Sequence, residues 1–136
     1  MSRSFLDAIA HRRSYYALKN ESPITDDALR ELVAQAVKHV PSAFNSQSTR
    51  IVVLLGEHHH KLWELTKDVL RAIVSADAFA KTEAKINESF LSGYGTILYY
   101  EAQALVRQLQ EKFPTYADNF PVWSEHTNAM HQFTIW

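Results

Sequence analysis

The 136-residue sequence predicts a single mixed domain of helices and short strands. Three observations carry this reading. A helical period of apolar residues runs from Leu29 to Val40, two strand-length aliphatic runs lie at 51–55 and 96–100, and Gly and Pro fall mainly at the joints between such segments. A domain of this length buries roughly 70% of its unfolded surface, so a substantial core is possible.

Each element has its own signal. Ser4 followed by Asp7 is capping-box-like, with Phe5, Ala8 and Ile9 on one face of a short first helix ending near Arg12. After Pro23, Thr25 caps a second helix, Asp26 and Asp27 favour its positive end, and Leu29, Leu32, Val33, Ala36, Val37 and Val40 form its stripe until Pro41 stops it. Ile51–Leu55, bounded by Arg50 and Gly56, reads as a strand buried on both faces. A third helix follows, with Leu62, Leu65, Val69 and Ile73 as its apolar stripe and Lys61, Glu64, Lys67, Asp68 and Arg71 on its wet side. Residues 78–91 read as helical or partly irregular. Gly93 and Gly95 then turn the chain into a second buried strand, and 102–113 form a helix closed by Pro114. Residues 114–123 are aromatic and irregular. A last helix begins at Ser124 with Ala129, Met130, Phe133 and Trp136 on one side, and a stripe that reaches the final residue is expected of a helix cut in its middle.

Composition excludes several classes of function. Fourteen Lys and Arg against fifteen Asp and Glu give a formal charge of -1, which offers no basic field for nucleic acid or anionic lipid. No Cys is present, so disulfides, thiolate metal sites and a Cys nucleophile are absent. The N-terminus is interrupted by Asp7 and His11 and lacks the apolar region of a signal peptide, and no run is long enough to span a membrane. The expected location is cytoplasmic.

Two polar segments carry the candidate chemistry. In "AHRRSYY", Ala10–Tyr16, the Arg12 and Arg13 guanidiniums and the Ser14 hydroxyl form a possible anion cradle; the alternative is favourable charge at a helix C-terminus. In "HVPSAFNSQSTRIVVLL", His39–Leu55, a loop rich in Ser, Asn and Gln and lacking Gly joins helix to strand. Its Asn45 and Gln47 carboxamides suit a heterocycle edge that alternates carbonyl and N–H, with Ser42 adding a hydroxyl; local loop capping is the alternative.

The ordered set "RRSYY" at 12–16, the helix that follows it, "PSAFNSQ" at 41–47, "GYGTILYYE" at 93–101 and "WSEHTNAMHQFTIW" at 123–136 resembles the FMN-dependent nitroreductase family, in particular its small fatty-acid-repression-type oxidoreductases. The resemblance runs along essentially the whole chain. It implies an α+β fold with a central, mainly antiparallel sheet flanked by helices, and a homodimer with FMN at the subunit interface. Arg12 and Ser14, with Arg13 adjacent, would hold the flavin phosphate and ribityl chain, while Ser42, Asn45 and Gln47 would face the flavin, partly from the neighbouring subunit. Asn87 stands where the family often has an amide near the isoalloxazine ring. NAD(P)H would reduce the flavin and a nitroaromatic or quinone would reoxidise it by ping-pong kinetics, with no protein nucleophile or acid–base residue.

The same resemblance implies a missing C-terminal part, so that residues 1–136 would be one incomplete domain. Tyr15 and Tyr16 replace the smaller or basic residues of many relatives. A rival reading is a non-catalytic dimeric interaction or flavin-binding module, for which Phe113, Tyr116, Phe120, Trp123 and Trp136 supply a partner surface. No metal site is expected. His58, His59 and His60 point about 100° apart on a helix and read as its solvated start, and His126 and His131 lack zinc-ligand spacing and read as surface or interface residues. Gly93-Tyr94-Gly95 precedes a strand and is a turn, not a dinucleotide loop.

Overall fold

A computed structural model describes residues 3–136. In chain order the elements are α1 (Phe5–His11), α2 (Asp26–His39), β1 (Thr49–Leu55), α3 (Glu57–Ile73), α4 (Ala76–Ile86), β2 (Gly95–Glu101), α5 (Gln103–Lys112) and α6 (Asn119–Ile135). Single 3-10 turns occupy Ala43–Asn45 and Pro114–Tyr116, and one π turn occupies Asn87–Leu91. The chain forms two compact units, Met1–Ser22 with Leu55–Thr96, and Pro23–Leu54 with Ile97–Trp136.

In the first unit, α1 starts at its sequence signal and α4 at a serine cap that the structure adds. The Ser4 hydroxyl accepts the Asp7 N–H and the Ser75 hydroxyl accepts that of Ala78, each satisfying an otherwise orphaned donor. Gly56 enters α3 at φ 53°, a left-handed conformation that glycine adopts cheaply. At Gly93, a Cβ would come within 3.2 Å of the Phe90 carbonyl and 3.4 Å of the Leu18 side chain, so a larger residue in the turn before β2 would push its neighbours by a few tenths of an ångström.

The face that α3 buries differs from the apolar stripe. Leu65, Val69 and Ile73 are exposed, whereas His59 and Lys67, expected in water, are buried. The packed face runs through positions 59, 63 and 67, one helical turn apart, with the exposed Arg71 at its edge. Trp63 stacks on Phe90 at 4.9 Å, the Lys67 ammonium donates to Asn87, and the Arg71 guanidinium covers the Phe79 ring at 4.6 Å. The aliphatic stems of Lys and Arg supply packing there while their polar ends find partners.

In the second unit, Thr25 caps α2 by accepting the Ala28 N–H, and Val33 and Ala36 enter the core. Among the described residues the sheet has two strands, β1 and β2, the two that the sequence indicates. Their sense is antiparallel, because Ala102 N–H donates to the Ser48 carbonyl at 2.8 Å and so joins the end of β2 to the start of β1. Val52 and Tyr100 are exposed, so neither strand is buried on both faces. Helix α6 starts at Asn119, five residues before the expected Ser124. Pro121 is tolerated there because it lies in the first turn, where backbone N–H groups have no intrahelical acceptor. The buried side of α6 consists of Phe120, Ser124, Thr127, Asn128 and His131, while Met130, Phe133 and Trp136 face outward.

Candidate functional site

The loop after α2 explains its own lack of glycine. Phe44, Asn45 and Gln47 adopt φ of 55°, 50° and 49°, three left-handed residues in four positions, in a region where each non-glycine costs of order 1–3 kcal/mol. Such strain persists only when the surroundings over-determine it. Here one side of the Phe44 ring packs against Phe113, Phe120, Tyr116 and Trp123, with centroids 5.0, 5.2, 5.5 and 5.8 Å away, while the residue keeps 48% of its surface exposed. Pairs of this kind contribute about 0.5–1.5 kcal/mol each, enough together to offset the backbone cost. The aromatic residues of 113–123 therefore form a brace for the loop, with Trp136 elsewhere.

Polar bonds complete the brace. Asn45 N–H donates to the Ser42 carbonyl at 3.0 Å, Gln47 N–H donates to the Ser42 hydroxyl at 3.0 Å, and Arg50 Nη1 donates to the Gln47 and Thr49 carbonyls at 2.9 Å each. The exit is clipped by Glu101, whose carboxylate accepts from Ser48 at 2.5 Å, Thr49 at 2.6 Å and Asn128 at 3.2 Å. Ser48 is 0% exposed. Ser42 thus has a structural duty within the loop, whereas the side-chain amides of Asn45 and Gln47 keep their donors and acceptors for something else.

Those amides open into a cleft of about 570 Å³, lined also by Lys38, His39, Ser42, Thr49, Arg50, Thr127 and His131. No carboxylate lines it, so its electrostatic character is positive. His131, expected at a surface or interface, is only 3% exposed and forms part of the cleft wall. Sequence spacing does not reveal this residue; the one available hint is its place four residues after Thr127, whose carbonyl its Nδ1 meets at 2.9 Å.

The other candidates lie in the first unit. Arg12 is the C-cap of α1, and Arg13 Nη1 donates to the Ala10 and Arg12 carbonyls at 2.9 Å, which is the helix-terminus duty weighed against the anion cradle. Ser14 and Arg13 are exposed. Asn87 opens the π turn, and its Oδ1 accepts from Lys67 Nζ at 3.0 Å; an ammonium only donates, so the Nδ2 side of this amide is the one turned outward. Lys67, 7% exposed, also pairs with Glu64 at 2.9 Å.

His59 is not a solvated helix start. It is 1% exposed, its Nε2 donates to the Leu91 carbonyl at 3.1 Å, and its Nδ1 accepts from the Thr96 hydroxyl at 2.8 Å, which in turn accepts from Trp63 Nε1 at 3.0 Å. Both ring nitrogens are occupied by protein. Among the described residues no group of His, Asp or Glu is arranged to hold a metal ion, and no helix is long and apolar enough to cross a membrane. Burial pushes the Tyr99 phenol above its ordinary pKa.

Comparison with known proteins gives a consistent picture. The sequence profile of the Nitroreductase family matches residues 9–135. Two Saccharomyces cerevisiae proteins named as nitroreductases, HBN1 and FRM2, are 33% and 32% identical over 98% of the chain, which spans 66% of each. Among solved structures, the nitroreductase CinD from Lactococcus lactis in complex with chloramphenicol matches with a TM-score of 0.82 and 38% identity, over 98% of this chain and 66% of that one. CinD in complex with 4-nitrophenol matches with a TM-score of 0.78 and 39% identity over the same shares. A Saccharomyces cerevisiae nitroreductase matches with a TM-score of 0.81 and 30% identity, over 97% of this chain and 71% of that one.

Proposed function

The chain belongs to the nitroreductase family, and from that premise we propose that it acts as an FMN-dependent NAD(P)H oxidoreductase subunit, residues 1–136 contributing to one nitroreductase-like domain. The observation that carries the reading is the braced Ser42–Gln47 loop: three left-handed residues are held by four aromatic rings so that two unengaged carboxamides face a cationic cleft. A loop that merely connected α2 to β1 would have no need of this strain. The donor set suits a flavin, since carboxamides read alternating carbonyl and N–H groups and a positive wall favours the carbonyl oxygens of that edge.

In this reading Arg12, Arg13 and Ser14 hold the phosphate and ribityl end, Ser42, Asn45 and Gln47 orient the ring, and Asn87 offers its Nδ2 to an oxygen acceptor. FMN, when bound, supplies the two-electron chemistry by which NAD(P)H reduces nitroaromatic or quinone-type acceptors in ping-pong fashion. The protein's own task is binding, orientation and exclusion of water. No residue of the chain is asked to be a nucleophile. CinD is solved with 4-nitrophenol and with chloramphenicol, both nitroaromatic compounds, which supports the acceptor class. A homodimer is part of the proposal, and the exposed Leu65, Val69 and Ile73 of α3 support it as an apolar face that a second copy would cover.

The test is a titration of the purified chain with FMN, followed by flavin fluorescence and the visible spectrum. Wild type should bind, and Arg12→Ala with Ser14→Ala, or Asn45→Ala with Gln47→Ala, should each weaken binding by at least tenfold. Protein that gains no flavin on reconstitution would defeat the cofactor assignment, and flavin-loaded protein that oxidises neither NADH nor NADPH with any acceptor would favour a binding module without activity.

A further inference from the structure

Ser48 and Thr49 are consecutive residues, yet both hydroxyls donate to one carboxylate, that of Glu101, at 2.5 and 2.6 Å. Successive side chains of a strand point to opposite faces, so a fork that takes both holds residue 48 out of strand geometry, and β1 begins only at Thr49. The backbone is fixed at the same place, because the Ser48 carbonyl accepts the Ala102 N–H at 2.8 Å. Gln47, left-handed at φ 49°, thus hands the chain to a residue gripped at both its side chain and its carbonyl. Helix α6 joins this frame through Asn128, whose Nδ2 donates to Glu101 Oε1 at 3.2 Å while its Oδ1 accepts from Gln132 at 2.6 Å. All of these residues lie in the second unit.

A carboxylate is the group that serves all three donors. Oε1 accepts from Thr49 and Asn128, and Oε2 accepts from Ser48. An amide in its place would turn N–H groups toward one of these donors, and the fully buried Ser48 hydroxyl would have no water to turn to instead. Among the described residues no cation pairs with Glu101, so its acceptor capacity goes into this frame and not into an ion pair. Glu101 does not line the cleft, whereas Thr49 does. We propose that Glu101 is a positioning residue for the Ser42–Gln47 loop: through Ser48 and Thr49 it sets the backbone from which the Asn45 and Gln47 amides reach the cleft. The rings around Phe44 support the middle of the loop and the carboxylate its exit. The inference rests on the FMN reading for the ligand, and on the hydrogen-bond geometry alone for the loop.

The experiment follows amide hydrogen exchange by NMR on the 136-residue chain, with FMN affinity measured on the same samples. In Glu101→Gln, exchange at Asn45 and Gln47, whose N–H groups are held by Ser42, should quicken about tenfold or more, while the helical amides of Val40 and Phe113 change less than about twofold. Loss of stability alone would speed all four together, and that result, or an unchanged Gln47, overturns the proposal. Ser48→Ala should reproduce the effect from the donor side, and adding Glu101→Gln to it should change exchange by less than the two single effects combined; full additivity overturns the proposal. FMN should bind Glu101→Gln about tenfold more weakly than wild type, and equal affinity despite a loosened loop overturns the positioning role. Wild type that binds no FMN defeats the cofactor reading, and the exchange pattern then decides whether Glu101 holds the loop. Should Glu101→Gln fail to fold by circular dichroism, Ser48→Ala and Thr49→Val, which each remove one donor, carry the same comparison.

Discussion

The Ser42–Gln47 loop and the Asn87–Leu91 turn each present a carboxamide, but they are held by different physics. The turn is pinned by polar partners, with Lys67 on the Asn87 oxygen and His59 on the Leu91 carbonyl. The loop is wedged by rings around Phe44 and stores backbone strain in three left-handed residues. A polar clamp fixes which atom of an amide is spent, so Asn87 has lost half of its hydrogen-bonding capacity to Lys67. A hydrophobic wedge fixes the backbone and leaves the amides of Asn45 and Gln47 whole. The second arrangement suits recognition of a ring edge; the first suits a single directed donor.

The largest test of this contrast is His59→Leu. It leaves the Leu91 carbonyl without its donor and the Thr96 hydroxyl, still bonded to Trp63, without its acceptor, and losses of this kind cost about 1–3 kcal/mol each, so urea denaturation should show a loss of about 3 kcal/mol. An effect under 1 kcal/mol would mean that the polar clamp does not hold the turn. Next comes Phe44→Ala, which removes the wedge but keeps the left-handed backbone and should cost about 2 kcal/mol. Phe44→Gly, which removes both wedge and strain, should be more stable than Phe44→Ala by about 1 kcal/mol. The reverse order would show that the backbone at 44 is unstrained.

A smaller effect of opposite sign is expected at Gln47→Gly. Relief of the left-handed conformation should offset the greater chain entropy of glycine and raise stability by about 0.5 kcal/mol, while FMN affinity falls because the amide is gone. Stability and affinity falling together would place the loop's function in its structure alone. The smallest effect concerns Tyr99, whose phenol burial holds above its ordinary pKa. The folded chain keeps that proton longer than the unfolded one, so the contribution is complete below about pH 10 and is lost as pH rises through the higher folded value. Tyr99→Phe should therefore flatten the alkaline fall of stability, read as urea midpoints between about pH 9 and pH 11.

Local signals were legible where the physics is local. Ser4 and Thr25 cap helices because their hydroxyls reach an N–H three residues on, and Pro41 ends α2 because it has no N–H to continue it; the Ser75 cap of α4 shows only in the structure. The family likewise shows in the order of short polar motifs. Burial was misread where it depends on the neighbour: α3 turns Lys67 inward because Asn87 waits there, and α6 buries Thr127, Asn128 and His131 while Phe133 stays outside. Periodicity counts apolar residues on one helix and carries no information about the hydrogen-bond partners that another element brings.

The sequence by itself determined the caps at Ser4 and Thr25, the stop at Pro41, the two strand segments, and the Ser, Asn and Gln that make the loop polar. Only tertiary structure decided that Phe44 would be wedged among four rings, that Glu101 would clip Ser48 and Thr49, and that His131 would face a cleft. The reason is range: capping and turn chemistry act over three or four residues, whereas the brace unites positions from 42 to 131 whose distances exist only after the chain has folded.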